Sequence, residues 1–188
     1  LCAAMSNVPT IYKTENEIIE RHYFAHPDWF RLLRIDEINE SEMKKIMDKS
    51  TIQRIAKLHP ELRAEVSAIL LEIQSKNIDI RIVQGLRTIA EQDALYAQGR
   101  TKPGAKVTNA KGGQSYHNFG LAVDFCLLHK DGSISWDLNE DIDKDNKKDW
   151  MEVVEVFEKH GWSWGGYWKS SKDNPHFEKT FGYNFTQL

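Results

Sequence analysis

The spacing of apolar positions changes several times along this chain, and each change predicts an element. From Pro60 to about Lys76, Leu62, Val66, Ile69, Leu70 and Ile73 recur at helical spacing, and Pro60 suits a first helical turn. Ile78-Asp79-Ile80-Arg81-Ile82-Val83 alternates and predicts a strand. Thr88 can cap a helix through Ala90, Ala94 and Leu95 that stops at Gly99. Leu121 to Leu128 predicts a second strand, and Trp150 to His160 a helix closed by Gly161. Trp162-Ser163-Trp164 and His176-Phe177-Glu178 predict short strands, with Gly165-Gly166 turning the chain between them. Residues 100–114 contain Pro103, Gly104, Gly112 and Gly113 and read as a long loop, which in a compact domain is usually functional.

Upstream, residues 11–35 mix charge with Tyr12, Tyr23, Phe24, Trp29 and Phe30, and predict one or two helices packed as an appendage. His22 and His26 stand four apart, but with no third ligand nearby they read as surface or packing histidines. Ser41-Glu42 marks a further helix start. Helices followed by strands with intervening helices predict an α+β chain, with a helical extension over 1–40 and one domain over 41–188.

Composition narrows the classes. Of 188 residues, 40% are hydrophobic and 28% charged, which predicts a globular chain able to bury a core. With 25 Lys and Arg against 28 Asp and Glu, the net charge of −3 gives no basic surplus for nucleic acid. No apolar run is long enough for a transmembrane span. Two cysteines exclude a disulfide framework, and Cys126, inside an apolar stretch, reads as a small buried side chain. The opening Leu1-Cys2-Ala3-Ala4-Met5 lacks the features of a signal peptide. It reads either as a trimmed lipoprotein with Cys2 lipidated or, the preferred reading, as a cloning remnant before a start at Met5. A monomer is expected.

The segment Ser115-Tyr116-His117-Asn118-Phe119-Gly120-Leu121-Ala122-Val123-Asp124 carries the most chemistry. His117 and Asp124 are an odd number of residues apart, so on an unbroken strand they would face opposite ways. A turn at Asn118-Phe119-Gly120 can bring both to one face. Asp124 is a lone carboxylate in an apolar run and needs a cation or strong donors. With His176 the set comprises two imidazoles and a carboxylate, the three-ligand pattern of a catalytic zinc with one open position. Asp173 lies three residues before His176. Spacing alone leaves open a capped turn, an Asp held by backbone donors and an ordinary His.

Several separated segments decide the matter by resemblance. Gln84-Gly85-Leu86-Arg87-Thr88, Ala90-Glu91-Gln92, Ser115-x-His117-x-x-Gly120-x-Ala122-x-Asp124, Trp164-Gly165-Gly166-x-Trp168 and Asp173-x-Pro175-His176-Phe177 occur in that order. Over about residues 50–185 the chain resembles the zinc peptidases of bacterial cell walls. These include D-alanyl-D-alanine carboxypeptidases and the L-alanyl-D-glutamate endopeptidases of phage endolysins. The resemblance implies a small zinc-peptidase domain with a central, mainly antiparallel sheet. It implies zinc on His117, Asp124 and His176, and Asp173 as general acid/base. Asp173 followed by Pro175-His176 is closer to the L-alanyl-D-glutamate branch, where the carboxypeptidase branch usually has Glu and an aromatic.

The implied reaction is hydrolysis of peptidoglycan stem peptides, with D-alanyl-D-alanine carboxypeptidase activity or a non-catalytic wall-binding module as alternatives. Arg87 resembles a clamp for a substrate carboxylate, against the alternative of a plain ion pair. It suits both an L-Ala-D-Glu linkage, where glutamate keeps a free α-carboxylate beside the scissile amide, and a terminal D-Ala-D-Ala. Gln92 and Ser115 are expected to contact substrate, Ser115 having a local turn role as its alternative. Trp168, and with it Trp164, could line the groove unless spent on packing. The site of action is the cell wall, in the periplasm or outside the cell. A phage-derived chain would be made in the host cytoplasm without its own signal.

One further stretch stands apart. In Asp141-Ile142-Asp143-Lys144-Asp145-Asn146-Lys147-Lys148-Asp149-Trp150-Met151-Glu152, carboxylates fall at positions 1, 3, 5, 9 and 12 of an EF-hand-like calcium loop. The Lys147 carbonyl falls at position 7, and Asn146 replaces the usual Gly at position 6. An acidic loop facing water is the alternative.

Overall fold

The computed structural model describes residues 47–188. The expected N-terminal extension, His22, His26 and the helix start at Ser41 lie outside the described residues. The elements in order are α1 (Lys49–Ile55), α2 (Pro60–Ser75), β1 (Ile80–Gln84), α3 (Ile89–Ala97), a 3-10 turn (Tyr116–Phe119) and β2 (Ala122–Leu128). There follow β3 (Ile134–Ser135), α4 (Asp149–Lys159), β4 (Ser163–Trp164), a second 3-10 turn (Gly165–Tyr167) and β5 (His176–Glu178). The fold is α+β, as expected, and every pairing in its sheet is antiparallel.

Strand β2 is the spine. Its neighbours are β1 on one edge and, on the other, β5 at the Ala122 end and β3 at the Leu128 end; β4 extends the sheet beyond β5. Alternation along β2 sorts its side chains between two faces. Val123 pairs with Phe177 and Asp124 with His176, so the aromatic face and the titratable face are one residue apart in sequence. On the aromatic face, Phe125 packs tilted against Trp150 with ring centroids 4.4 Å apart, and Phe157 stacks on Phe177 at 4.2 Å. All four rings are fully buried. They fasten α4 behind the sheet, and the opposite face is left for Asp124 and His176.

Local sequence explains the frame. Leu62, Val66, Ile69, Leu70 and Ile73 form the buried stripe of α2. Thr88 and Glu91 make a reciprocal capping box at the start of α3. Helix α1, which apolar spacing did not predict, starts at Asp48, whose carboxylate accepts the Ser50 and Thr51 N–H groups. It covers the free edge of β1: the Ile82 N–H donates to Thr51 Oγ1 and Arg54 donates to the Ile82 carbonyl. An uncovered edge there would invite pairing with another chain. Cys126 is buried with a free thiol, in line with its apolar setting. No helix among the described residues is long and apolar enough to cross a membrane.

Candidate metal centre and cleft

Three segments bring the centre together. The 3-10 turn places His117, and Gly120 then reverses the chain with φ 68°, in the left-handed region. A Cβ at Gly120 would lie 2.7 Å from the His59 backbone nitrogen, so both conformation and space demand glycine. This turn resolves the odd spacing, because Asp124 then comes up on β2 on the same side as His117. Strand β5 supplies His176 directly opposite Asp124.

His117 Nε2 lies 3.1 Å from Asp124 Oδ1 and 3.2 Å from His176 Nδ1, and the last two atoms are 3.0 Å apart. The second nitrogen of each ring is already committed. His117 Nδ1 donates to the Gly85 carbonyl at 2.8 Å, and His176 Nε2 donates to Glu178 Oε2 at 3.0 Å. Each ring in its neutral form therefore turns a lone pair toward the carboxylate, whereas a protonated ring donates to it. Three acceptors so close repel one another unless a cation sits among them. Tetrahedral zinc with bonds of about 2.0–2.1 Å would separate its ligands by about 3.3 Å, close to the spacing here. The donor set and its outer hydrogen bonds thus fit such an ion. In the protein alone, burial opposes ionisation of Asp124, but hydrogen bonds from His117 and His176 hold its carboxyl well below the usual range. Burial likewise opposes the charge on His176, yet Asp124 and Glu178 push that ring up to about 9. The pocket is electrostatically prepared for positive charge.

Around it opens a cleft of about 790 Å³, lined among others by Arg87, Lys106, Ser115, Trp168 and Asp173. The expected residues Arg87, Ser115, Trp168 and Asp173 all lie on it. Asp173 sits on the turn before β5, where Gly165 allows close approach: a Cβ there would lie 2.5 Å from the Asp173 carbonyl oxygen. Burial pushes the Asp173 carboxyl up, with the charge of Asp124 adding to the effect. Arg87 is locked to the centre by its backbone, its N–H donating to the His117 carbonyl at 2.9 Å. Its guanidinium lies 3.8 Å from Asp124 Oδ2.

One expectation changes. Gln92, expected to touch substrate, is fully buried. Its Oε1 accepts from Arg87 at 2.9 Å, while its amide donates to the Ala110 carbonyl at 2.8 Å. It therefore orients Arg87 and ties the long loop to α3. Trp164 is packed inside with its indole N–H on the Asn174 carbonyl, whereas Trp168 is 37% exposed with its ring 5.1 Å from that of His176. Glu178 was missed. Its signal was available, since a carboxylate two residues beyond a strand histidine shares its face.

The acidic loop gathers only part of the predicted calcium set. Oxygens of Asp141, Asp143 and Asp149 lie within 4.8 Å of one another. Asp145 instead accepts from Lys147 Nζ at 2.9 Å, and Glu152 from Lys76 Nζ at 3.2 Å. Lysine at positions 76 and 147 gives these two carboxylates partners of their own. Asn146 takes a φ of 70°, as the sixth position requires.

Comparison with known proteins bears on this centre. A family described as D-alanyl-D-alanine carboxypeptidase matches residues 108–179, which span all three converging side chains. The peptidoglycan L-alanyl-D-glutamate endopeptidase CwlK of Bacillus subtilis is 51% identical over 121 residues, covering 64% of this chain and 72% of that protein. An L-alanyl-D-glutamate peptidase of Listeria phage A118 is 28% identical over 128 residues, covering 68% of this chain and 40% of the phage protein. The crystal structure of the Serratia marcescens L-Ala D-Glu endopeptidase ChiX aligns at a TM-score of 0.46 and 23% identity, covering 80% of this chain and 96% of that one. With half of the 121 aligned residues identical over most of the length of the Bacillus protein, this chain belongs to the zinc-dependent peptidoglycan peptidase family of D-alanyl-D-alanine carboxypeptidases and L-alanyl-D-glutamate endopeptidases.

Proposed function

We propose that the chain is a zinc endopeptidase that hydrolyses the L-Ala-D-Glu bond of peptidoglycan stem peptides, and that His117, Asp124 and His176 hold the metal. The observation that carries this reading is the convergence of His117 Nε2, Asp124 Oδ1 and His176 Nδ1 at 3.0–3.2 Å on the cleft that also holds Arg87 and Asp173. The similarity to the Bacillus endopeptidase supports the choice of bond.

When bound there, zinc would act as a Lewis acid on the scissile carbonyl and make water a better nucleophile. Arg87 receives the glutamate α-carboxylate through a two-pronged guanidinium contact, which sets the amide beside Asp173. Asp173 takes the proton of the attacking water and hands it to the leaving glutamate nitrogen. Its upward-shifted carboxyl holds the transferred proton more readily than an ordinary aspartate does. The exposed face of Trp168 offers an apolar wall beside His176 for the peptide. We place the activity at the cell wall.

Mass analysis of purified peptidoglycan after digestion tests the reading. The expected products are a glycan-linked L-Ala with a new carboxylate and a peptide beginning with free D-Glu. Loss of terminal D-Ala alone would reassign the chain to carboxypeptidase activity. No change with zinc-loaded protein would leave a wall-binding module.

A further inference from the structure

The centre above leaves the acidic loop before α4 unexplained. Asp149, the first residue of α4, is fully buried. Its Oδ2 accepts the Ile142 N–H at 3.0 Å, but its Oδ1 has no hydrogen-bond partner among the described residues. A buried carboxylate oxygen left without a donor is costly. Asp141 and Asp143 bring two further carboxylates to the same point, within 4.8 Å. Burial pushes the Asp149 carboxyl up, the Ile142 N–H opposes, and the charges of Asp143 and Asp141 add to the rise.

The lysines of the loop do not relieve this crowding. Lys147 is held by Asp145 at 2.9 Å, and Lys148 donates to Asn139 at 2.8 Å. Among the described residues, no lysine or arginine forms an ion pair with Asp141, Asp143 or Asp149. A cation from solution would satisfy the buried oxygen and neutralise the cluster together.

We infer that Asp141, Asp143 and Asp149 form a second metal site, separate from the His117–Asp124–His176 centre, that takes a hard divalent cation, calcium. The ligand chemistry selects it: every donor is oxygen, and the set includes no thiolate or imidazole. The irregular loop, with positive φ at Lys144 and Asn146, offers the flexible coordination that calcium accepts and magnesium does not. Three carboxylates, with Asp145 and Glu152 engaged elsewhere, place the affinity at the weak end, about 0.1–1 mM. The cation would secure the first turn of α4 next to Trp150, which packs against Phe125 beside Asp124.

The experiment titrates calcium chloride into the zinc-loaded full chain by calorimetry and follows melting at 10 mM calcium and constant ionic strength. About one calcium per chain and a rise of about 3–10 °C in melting temperature are expected. Asp143→Asn keeps an oxygen for the Asp145 N–H and should weaken calcium binding by about tenfold or more, with zinc content unchanged. Asp141→Asn provides the same test should that variant fail to fold. No binding heat and no melting shift in the wild-type chain would overturn the site. So would undiminished calcium binding in both variants, or an equal melting shift with magnesium.

Discussion

At the scale of single residues, the centre depends on groups one step behind the three converging atoms. His176 presents Nδ1 to Asp124 because Nε2 is bound to Glu178. His117 presents Nε2 because Nδ1 is bound to a main-chain carbonyl. The second partner is a main-chain carbonyl, which every residue type carries, whereas the first is a single side-chain carboxylate. Glu178→Gln should therefore weaken zinc binding by about 10–100-fold without loss of fold, the usual scale for a partner of a ligating histidine. Competition with a chromophoric chelator measures it, and unchanged affinity would show that Glu178 does not hold the ring. The convergence of His117, Asp124 and His176, with Asp173 on the same cleft, was legible because the resemblance across several separated motifs decided what residue type and spacing alone left open. Gln92 misled for a physical reason: a polar residue that serves Arg87 from beneath follows the same pattern as one that meets substrate.

At the scale of elements, those with strong local signals were legible: the apolar stripe of α2, the Thr88–Glu91 cap of α3, the long β2 run and α4 with its closing Gly161. Helix α1 was not, because its value is tertiary. It has only seven residues, and it covers the β1 edge through Thr51 and Arg54. The two-residue strand β3 was missed for the same reason, since pairing with Leu127 and Leu128 rather than its own sequence makes it a strand. The joint between α2 and the end of α4 yields a pH prediction. His160 Nε2 donates to Glu72 Oε2 at 2.9 Å, and Lys159 donates to Oε1 at 2.8 Å. Burial holds His160 below its ordinary 6.5. Glu72 lies below its ordinary 4.5 although burial opposes, because His160 and Lys159 donate to it. Both groups bind protons more readily in the unfolded chain. Their contribution is present above those ordinary values and is lost as pH falls through the lower folded ones. Melting temperature should drop from about pH 6.5 downward; in Glu72→Gln, which removes a partner that raises His160, the drop through the His160 range should be no shallower, while the further drop below about 4.5 should be smaller. Parallel curves for the two proteins would place the acid sensitivity elsewhere.

At the scale of the whole described domain, one sheet serves two tasks. Its aromatic face, closed by α4, makes the core, and its titratable face opens on the cleft. One-residue alternation along β2 and β5 is enough to keep the two apart, so a rigid core directly backs the side chains that must be held in place. In the proposed reaction Asp173 moves the proton while His117, Asp124 and His176 only hold the metal. The most direct measurement is the rate of cleavage of a defined L-Ala-D-Glu muropeptide by Asp173→Ala, with zinc content determined on the same sample. About one zinc per chain, as in the wild type, and a rate lower by at least about a hundredfold are expected. A near-normal rate at normal zinc content would contradict it.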